Sequence, residues 1–173
     1  EIKTPEIKTP EIKIPEKNIN SIDYKPQIKK YDNLSVEDIE LGKLLNKINL
    51  DCDHSRLVDT ISYSDGMGPA LYRLCKFDQS LSFFNDSLAK NPNNVEIMTS
   101  KGSTLGKMGR ISESISYYDA VLKIDPDFIP AINNKANALA NIKKYDESIS
   151  LYNKALEKNP SYDTARKNLQ LVL

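Results

Sequence analysis

Three short stretches of this chain carry residue types that could do chemistry. Gly102-Ser103-Thr104-Leu105-Gly106-Lys107 has the glycines and lysine of a phosphate-cradling loop, but that loop needs four residues between its glycines and Ser or Thr after the lysine. Here three residues intervene and Met108 follows. Asp51-Cys52-Asp53-His54-Ser55 offers oxygens in the manner of a calcium loop, which also needs a glycine at its sixth position and a bidentate glutamate at its twelfth. Arg56 and Ser62 stand there instead. His54 is the single histidine. Any Ser-His-Asp or Cys-His arrangement would have to use it, yet it lies among loop-like polar residues. Cys52 and Cys75 are too few for a thiolate zinc site. They read as reduced, small, partly buried residues, with one disulfide in a secreted setting as the alternative. No catalytic residue, metal or cofactor is expected.

One polar pattern remains. Asn133, Asn137 and Asn141 step by four, which sets them in one row on one helix face, with Asn134 beside them. Asparagine is a poor helix former, so three in a row suggests something other than propensity. Its amide donates and accepts together, which suits the backbone of an extended peptide irrespective of sequence. The plainer alternative is a solvated polar face in an Asn-rich chain.

The elements that would position this row follow from a repeat. Pro92, Pro126 and Pro160 lie 34 residues apart. Aligning on them superposes Gly68, Gly102 and Ala136; Leu71, Leu105 and Leu139; and Phe84, Tyr118 and Tyr152. Within a unit, Met98, Gly102, Leu105 and Met108 step at the helical period, a turn follows at Gly109-Arg110, and Ile111, Ile115, Tyr118 and Leu122 resume it. Each unit is a helical hairpin. A hairpin this small cannot bury its apolar face alone, so the units must stack.

This pattern resembles the tetratricopeptide-repeat (TPR) family. Numbering each unit from one, the small residue that family favours at position 8 is Gly68, Gly102 and Ala136, the aromatic at position 24 is Phe84, Tyr118 and Tyr152, and the proline at position 32 is Pro92, Pro126 and Pro160. Departures are mild. Position 4 holds Ser64, Met98 and Ile132 in place of Trp, position 7 has Lys101 and Lys135, and position 20 has Ser80, Ser114 and Ser148 in place of Ala. The resemblance implies an all-α, right-handed α-solenoid of about three hairpins. The units are 61–94, 95–128 and 129–162, followed by a capping helix over 163–173.

Upstream, 34–60 reads as a helical cap. Leu41, Leu44, Leu45 and Ile48 form one helical stripe, and Leu57, Val58 and Ile61 suggest a further short helix. Residues 1–33 open with EIKTPEIKTPEIKIP, a pentad period closed by proline. One isoleucine per pentad builds no core, so this tail is expected to be a disordered, extended linker. A strand-adding docking segment is the sharper alternative.

The resemblance implies a groove lined by the first helix of each unit, binding a peptide or partner protein. Carried onto this chain, the groove-facing candidates are Asn133, Asn134, Asn137 and Asn141 in the third unit, Thr99, Ser103 and Lys107 in the second, and Arg73 in the first. Family grooves that clamp the free carboxylate of a chaperone tail want Lys at position 5 and Asn at position 9. Those positions hold Asp65/Pro69, Thr99/Ser103 and Asn133/Asn137, so that ligand is not expected. The alternative function is a structural or homo-oligomerising element, using the apolar Leu171-Val172-Leu173 end and displayed on the proline-rich spacer.

Charge and hydropathy agree with an interaction module. Lys+Arg 24 balances Asp+Glu 24 over 173 residues, which speaks against a general nucleic-acid binder. Residues 35–60 carry 3 basic and 6 acidic side chains and 129–173 carry 7 and 4, a gradient too small to imply nucleic acid. No run of 18 apolar residues is present to span a membrane, and no basic-then-apolar leader pattern is visible in these residues. Asn33-Leu34-Ser35 and Asn85-Asp86-Ser87 are glycosylation sequons only in a secreted chain. The compartment stays open, the cytoplasm slightly favoured.

Overall fold

The computed structural model describes residues 56–61 and 67–173. The tail over 1–33, the stripe from Leu41 to Ile48, the calcium-like loop with His54, and Cys52 lie outside the described residues, as does 62–66 of the first unit. Among the described residues there are seven helices: α1 (Met67–Arg73), α2 (Phe77–Lys90), α3 (Val95–Lys107), α4 (Ile111–Ile124), α5 (Ile129–Asn141), α6 (Tyr145–Lys158) and α7 (Asp163–Val172). No strand occurs among the described residues. Successive helices pack as antiparallel neighbours, and α3, α5 and α7 also touch one another in turn. The fold is an all-α repeat solenoid, with α3, α5 and α7 forming one layer.

Local chemistry explains the hairpin turns. Cys75, Gly109 and Lys143 all have positive φ, at 55°, 79° and 64°. Each ends a helix in the left-handed conformation, and the next amide bonds five residues back: Lys76 to Leu71, Arg110 to Leu105 and Lys144 to Leu139, each at 2.9 Å. This is the Schellman termination, which satisfies carbonyls the helix would otherwise leave unpaired. Only the middle unit places glycine there, the residue with no Cβ penalty. Cys75 is disulfide-bonded rather than the reduced thiol expected.

Close packing between paired helices follows from the small residues. A Cβ on Gly102 would lie 2.7 Å from the Tyr118 ring, and one on Gly68 2.6 Å from the Phe84 ring. Phe84, Tyr118 and Tyr152 are buried seam-fillers, and such rings supply much of a core's buried area. Ser80 Oγ donates to the Gly68 carbonyl and Ser148 Oγ to the Ala136 carbonyl, both at 2.8 Å. Serine at that repeat position therefore staples the two helices of a unit. Ser114, its counterpart in the middle unit, is buried with no hydrogen-bond partner for Oγ.

Residues 56–61 depart from the short helix expected at Leu57, Val58 and Ile61. Residues 56 and 57 form a bend, and 58–61 are irregular. The physical reason is that side chains of α5 and α7, rather than a helical turn, take up the backbone groups of this segment.

Candidate functional site

The asparagine row does not face open water. Asn133, Asn134 and Asn137 are each at most 2% exposed, although asparagine is mostly a surface residue. The side chains meet the segment 58–60, which lies across α5 and α7. Asn134 Oδ1 accepts from the Thr60 amide at 2.7 Å, and its Nδ2 donates to the Thr60 carbonyl at 2.8 Å. Asn168 does the same for Val58, accepting from its amide and donating to its carbonyl, both at 2.9 Å. In extended backbone the N–H and C=O of one residue point to the same side, and alternate residues share a side. A primary amide carries one donor edge and one acceptor edge, so it matches that pair. Two asparagines thus read residues two apart, and the segment runs antiparallel to the order of the repeats.

The remaining contacts extend this clamp. Asn137 Nδ2 donates to the Val58 carbonyl at 3.0 Å and to Asp59 Oδ1 at 2.6 Å. Asn133 Nδ2 reaches the Val58 carbonyl at 3.3 Å. Thr60 Oγ1 bonds the Tyr162 hydroxyl, and Ile61 is buried. Behind the clamp a polar network fixes the amides. Asn168 Nδ2 also reaches Asn133 Oδ1 and Asn137 Oδ1, and the Tyr152 hydroxyl donates to Asn137 Oδ1. Asn134 Nδ2 donates to Ser103 Oγ at 2.9 Å, which is 3.0 Å from the Tyr118 hydroxyl. Buried polar groups satisfied in this way hold one geometry and are costly to leave half-made.

The other sequence candidates are dispersed. Thr99 is buried and bonds its hydroxyl back to the Val95 carbonyl at 2.7 Å. Lys107 and Asn141 line a cavity of about 470 Å³ beside the segment, and Arg73 is half-buried in the last turn of α1. Asn168 was not among the candidates. It stands 34 residues after Asn134, so carrying the repeat period one unit past Asn134 would have found it. The Gly102–Lys107 stretch lies within α3 rather than in a loop after a strand.

The electrostatics favour neutral tyrosines here. Burial pushes the Tyr118 hydroxyl well above its ordinary range, and the Asp59 carboxylate adds to the rise. Tyr152 is raised by burial and, to a smaller extent, by Asp59. Burial also raises Tyr162, partly offset by its bond to Thr60. Among the described residues, no group of three or more His, Cys, Asp or Glu is placed to hold a metal, and no helix is long and apolar enough to cross a membrane.

Comparison with known proteins bears on the fold. Residues 95–128 and 129–162 each match a tetratricopeptide-repeat model. No curated protein sequence matches the chain. Among solved structures, the first TPR domain of the human RPAP3 protein is similar at 17% identity and TM-score 0.58, over 61% of this chain and 83% of that one. The Sgt2 TPR domain from Aspergillus fumigatus is similar at 13% identity and TM-score 0.57, over 80% and 78%. YrrB, described as a TPR protein with an unusual peptide-binding site, is similar at 23% identity and TM-score 0.54, over 57% and 51%. Residues 95–162 are therefore two tandem tetratricopeptide repeats.

Proposed function

We propose that this chain is a non-catalytic protein-interaction module that holds an extended peptide or partner segment along α3, α5 and α7. One observation carries the reading: Asn134 and Asn168 each take both backbone groups of alternate residues, Thr60 and Val58. That is a geometry for reading an extended main chain. Asn133, Asn137 and Ser103 complete the clamp, and Lys107 and Asn141 line the cavity beside it.

The first TPR of Spaghetti (RPAP3), similar at TM-score 0.56, is described as bound to the HSP90 peptide SRMEEVD. The polar lining of the present groove is amide-rich, and amides pair with internal peptide groups rather than neutralise a free carboxylate. An internal segment of a partner is therefore the better ligand.

The test is to pan a displayed random-peptide library against the full chain. Peptides that bind the full chain and lose binding to the Asn134→Ala/Asn168→Ala variant, with its helical circular dichroism retained, are the expected result. Failure to enrich any binder, or binders indifferent to both asparagines, would overturn the reading.

A further inference from the structure

We infer that the chain's own residues 57–61 are the resident ligand of this groove, and that partners are extended segments of the same chemistry which compete with it. The inference rests on the peptide-binding reading above and adds both the ligand class and its control. The resident segment shows what the groove accepts. Its main chain is taken at Val58 and Thr60, its acidic side chain at Asp59 bonds Asn137, its hydroxyl at Thr60 bonds Tyr162, and its apolar Ile61 is buried. The Val58 side chain is 57% exposed and carries no selection. The partner class is an extended segment reading any residue, Asp, Thr or Ser, then a β-branched apolar residue.

Two observations argue that the segment is an occupant rather than a core element. Most of its hydrogen bonds with the described residues run to side-chain amides, which water or another chain can satisfy once it leaves. Secondly, it fits the groove incompletely. The cavity of about 470 Å³ is lined by Arg56, Leu57 and Asp59 together with Phe77, Ile111 and Tyr118. Ser114 Oγ lines that cavity, buried and unpartnered. A unique core packs to higher density than this. A partner whose side chains fill the cavity and bond Ser114 gains contacts that the resident lacks. Covalent linkage, in turn, gives the resident an effective concentration of order mM, so it outcompetes weak ligands.

The experiment uses fluorescence anisotropy with a capped, labelled peptide of residues 56–61, Arg-Leu-Val-Asp-Thr-Ile. The receptors are the full wild-type chain and the full Val58→Pro/Thr60→Pro chain, in which the two amides read by Asn168 and Asn134 are gone. If circular dichroism shows that the proline variant has lost its helices, Asp59→Lys replaces it. The expected result is at least about tenfold tighter binding to the released chain, as when the resident occupies the groove nine-tenths of the time. The same peptide N-methylated at its Val and Thr loses that binding. Equal affinity for both chains overturns the competition while leaving the binding-module reading intact. No binding to either, or undiminished binding of the methylated peptide, overturns the ligand class. Failure of the library selection is the separate sign that the binding reading itself is wrong.

Discussion

Helices α3 and α5 occupy equivalent places in successive repeats, yet they treat their inner faces differently. The row on α3 is Thr99, Ser103 and Lys107; the Thr99 hydroxyl bonds the Val95 carbonyl of its own helix, and the Ser103 hydroxyl meets only side chains of the neighbouring helices, Tyr118 and Asn134. The corresponding row on α5 is Asn133, Asn137 and Asn141, and its first two amides cross to the 58–60 segment. The backbones are alike, so the difference lies in reach and valence. A serine or threonine hydroxyl sits one bond from Cβ and readily bonds its own helix. An asparagine amide extends farther and offers donor and acceptor edges at once. The same scaffold thus closes on itself in one repeat and grips another segment in the next.

The contrast is broken most severely at the seam beneath it. Gly102→Leu forces a side chain against the Tyr118 ring, already 2.7 Å from a bare Cβ, and is expected to cost about 3 kcal/mol by overpacking. Urea unfolding checks this; an unchanged midpoint would mean that α3 and α4 do not approach as described. Ala136, at the same position on α5, already carries a Cβ within its packed cluster, so Ala136→Gly should cost only about 1 kcal/mol through helix propensity.

Next comes the clamp. Asn134→Ala with Asn168→Ala strips side-chain partners from four backbone groups of Val58 and Thr60. Partial hydration limits the expected loss to about 2 kcal/mol. The Val58 and Thr60 amides should lose exchange protection while α3 and α4 keep theirs. By contrast, Asn133→Ala with Asn137→Ala is expected to weaken partner binding without unfolding the array, as read by the selected peptides and circular dichroism. Thr99→Ala on α3 should leave that binding unchanged.

Alkali sharpens the comparison through the tyrosines. Tyr118, Tyr152 and Tyr162 are all raised by burial, whereas an unfolded tyrosine titrates near about 10. The folded state therefore holds protons that the unfolded state releases. The stabilisation is full below that pH and is lost as pH rises above it. The melting temperature should be flat from neutral pH to about 9.5 and fall beyond 10. Tyr162→Phe should make the fall shallower without removing it.

The smallest effect concerns the turns. Lys143 at φ 64° occupies the place of Gly109 at φ 79°. Lys143→Gly is expected to stabilise by about 0.5–1 kcal/mol, and Gly109→Ala to destabilise by about 1 kcal/mol, because open space around Gly109 leaves only the backbone penalty. Opposite signs in thermal melts would bear this out.

Much of the fold was legible in the chain itself. The 34-residue proline spacing, the small residues at Gly68, Gly102 and Ala136, and the seam aromatics determined stacked helical hairpins, because helix period and close packing are local and repetitive constraints. Type and spacing also determined that Asn133 and Asn137 share a face, and that an amide row suits an extended main chain. Only the tertiary structure decided what meets that row. Residues 56–61 hold the apolar Leu57, Val58 and Ile61, a pattern that short helices and extended segments share. Their conformation was settled by asparagines up to 110 residues away in sequence. Asn168 was hidden for the related reason that its role depends on its place beside Asn134 in the stack, and such contacts between repeats are invisible to any local pattern.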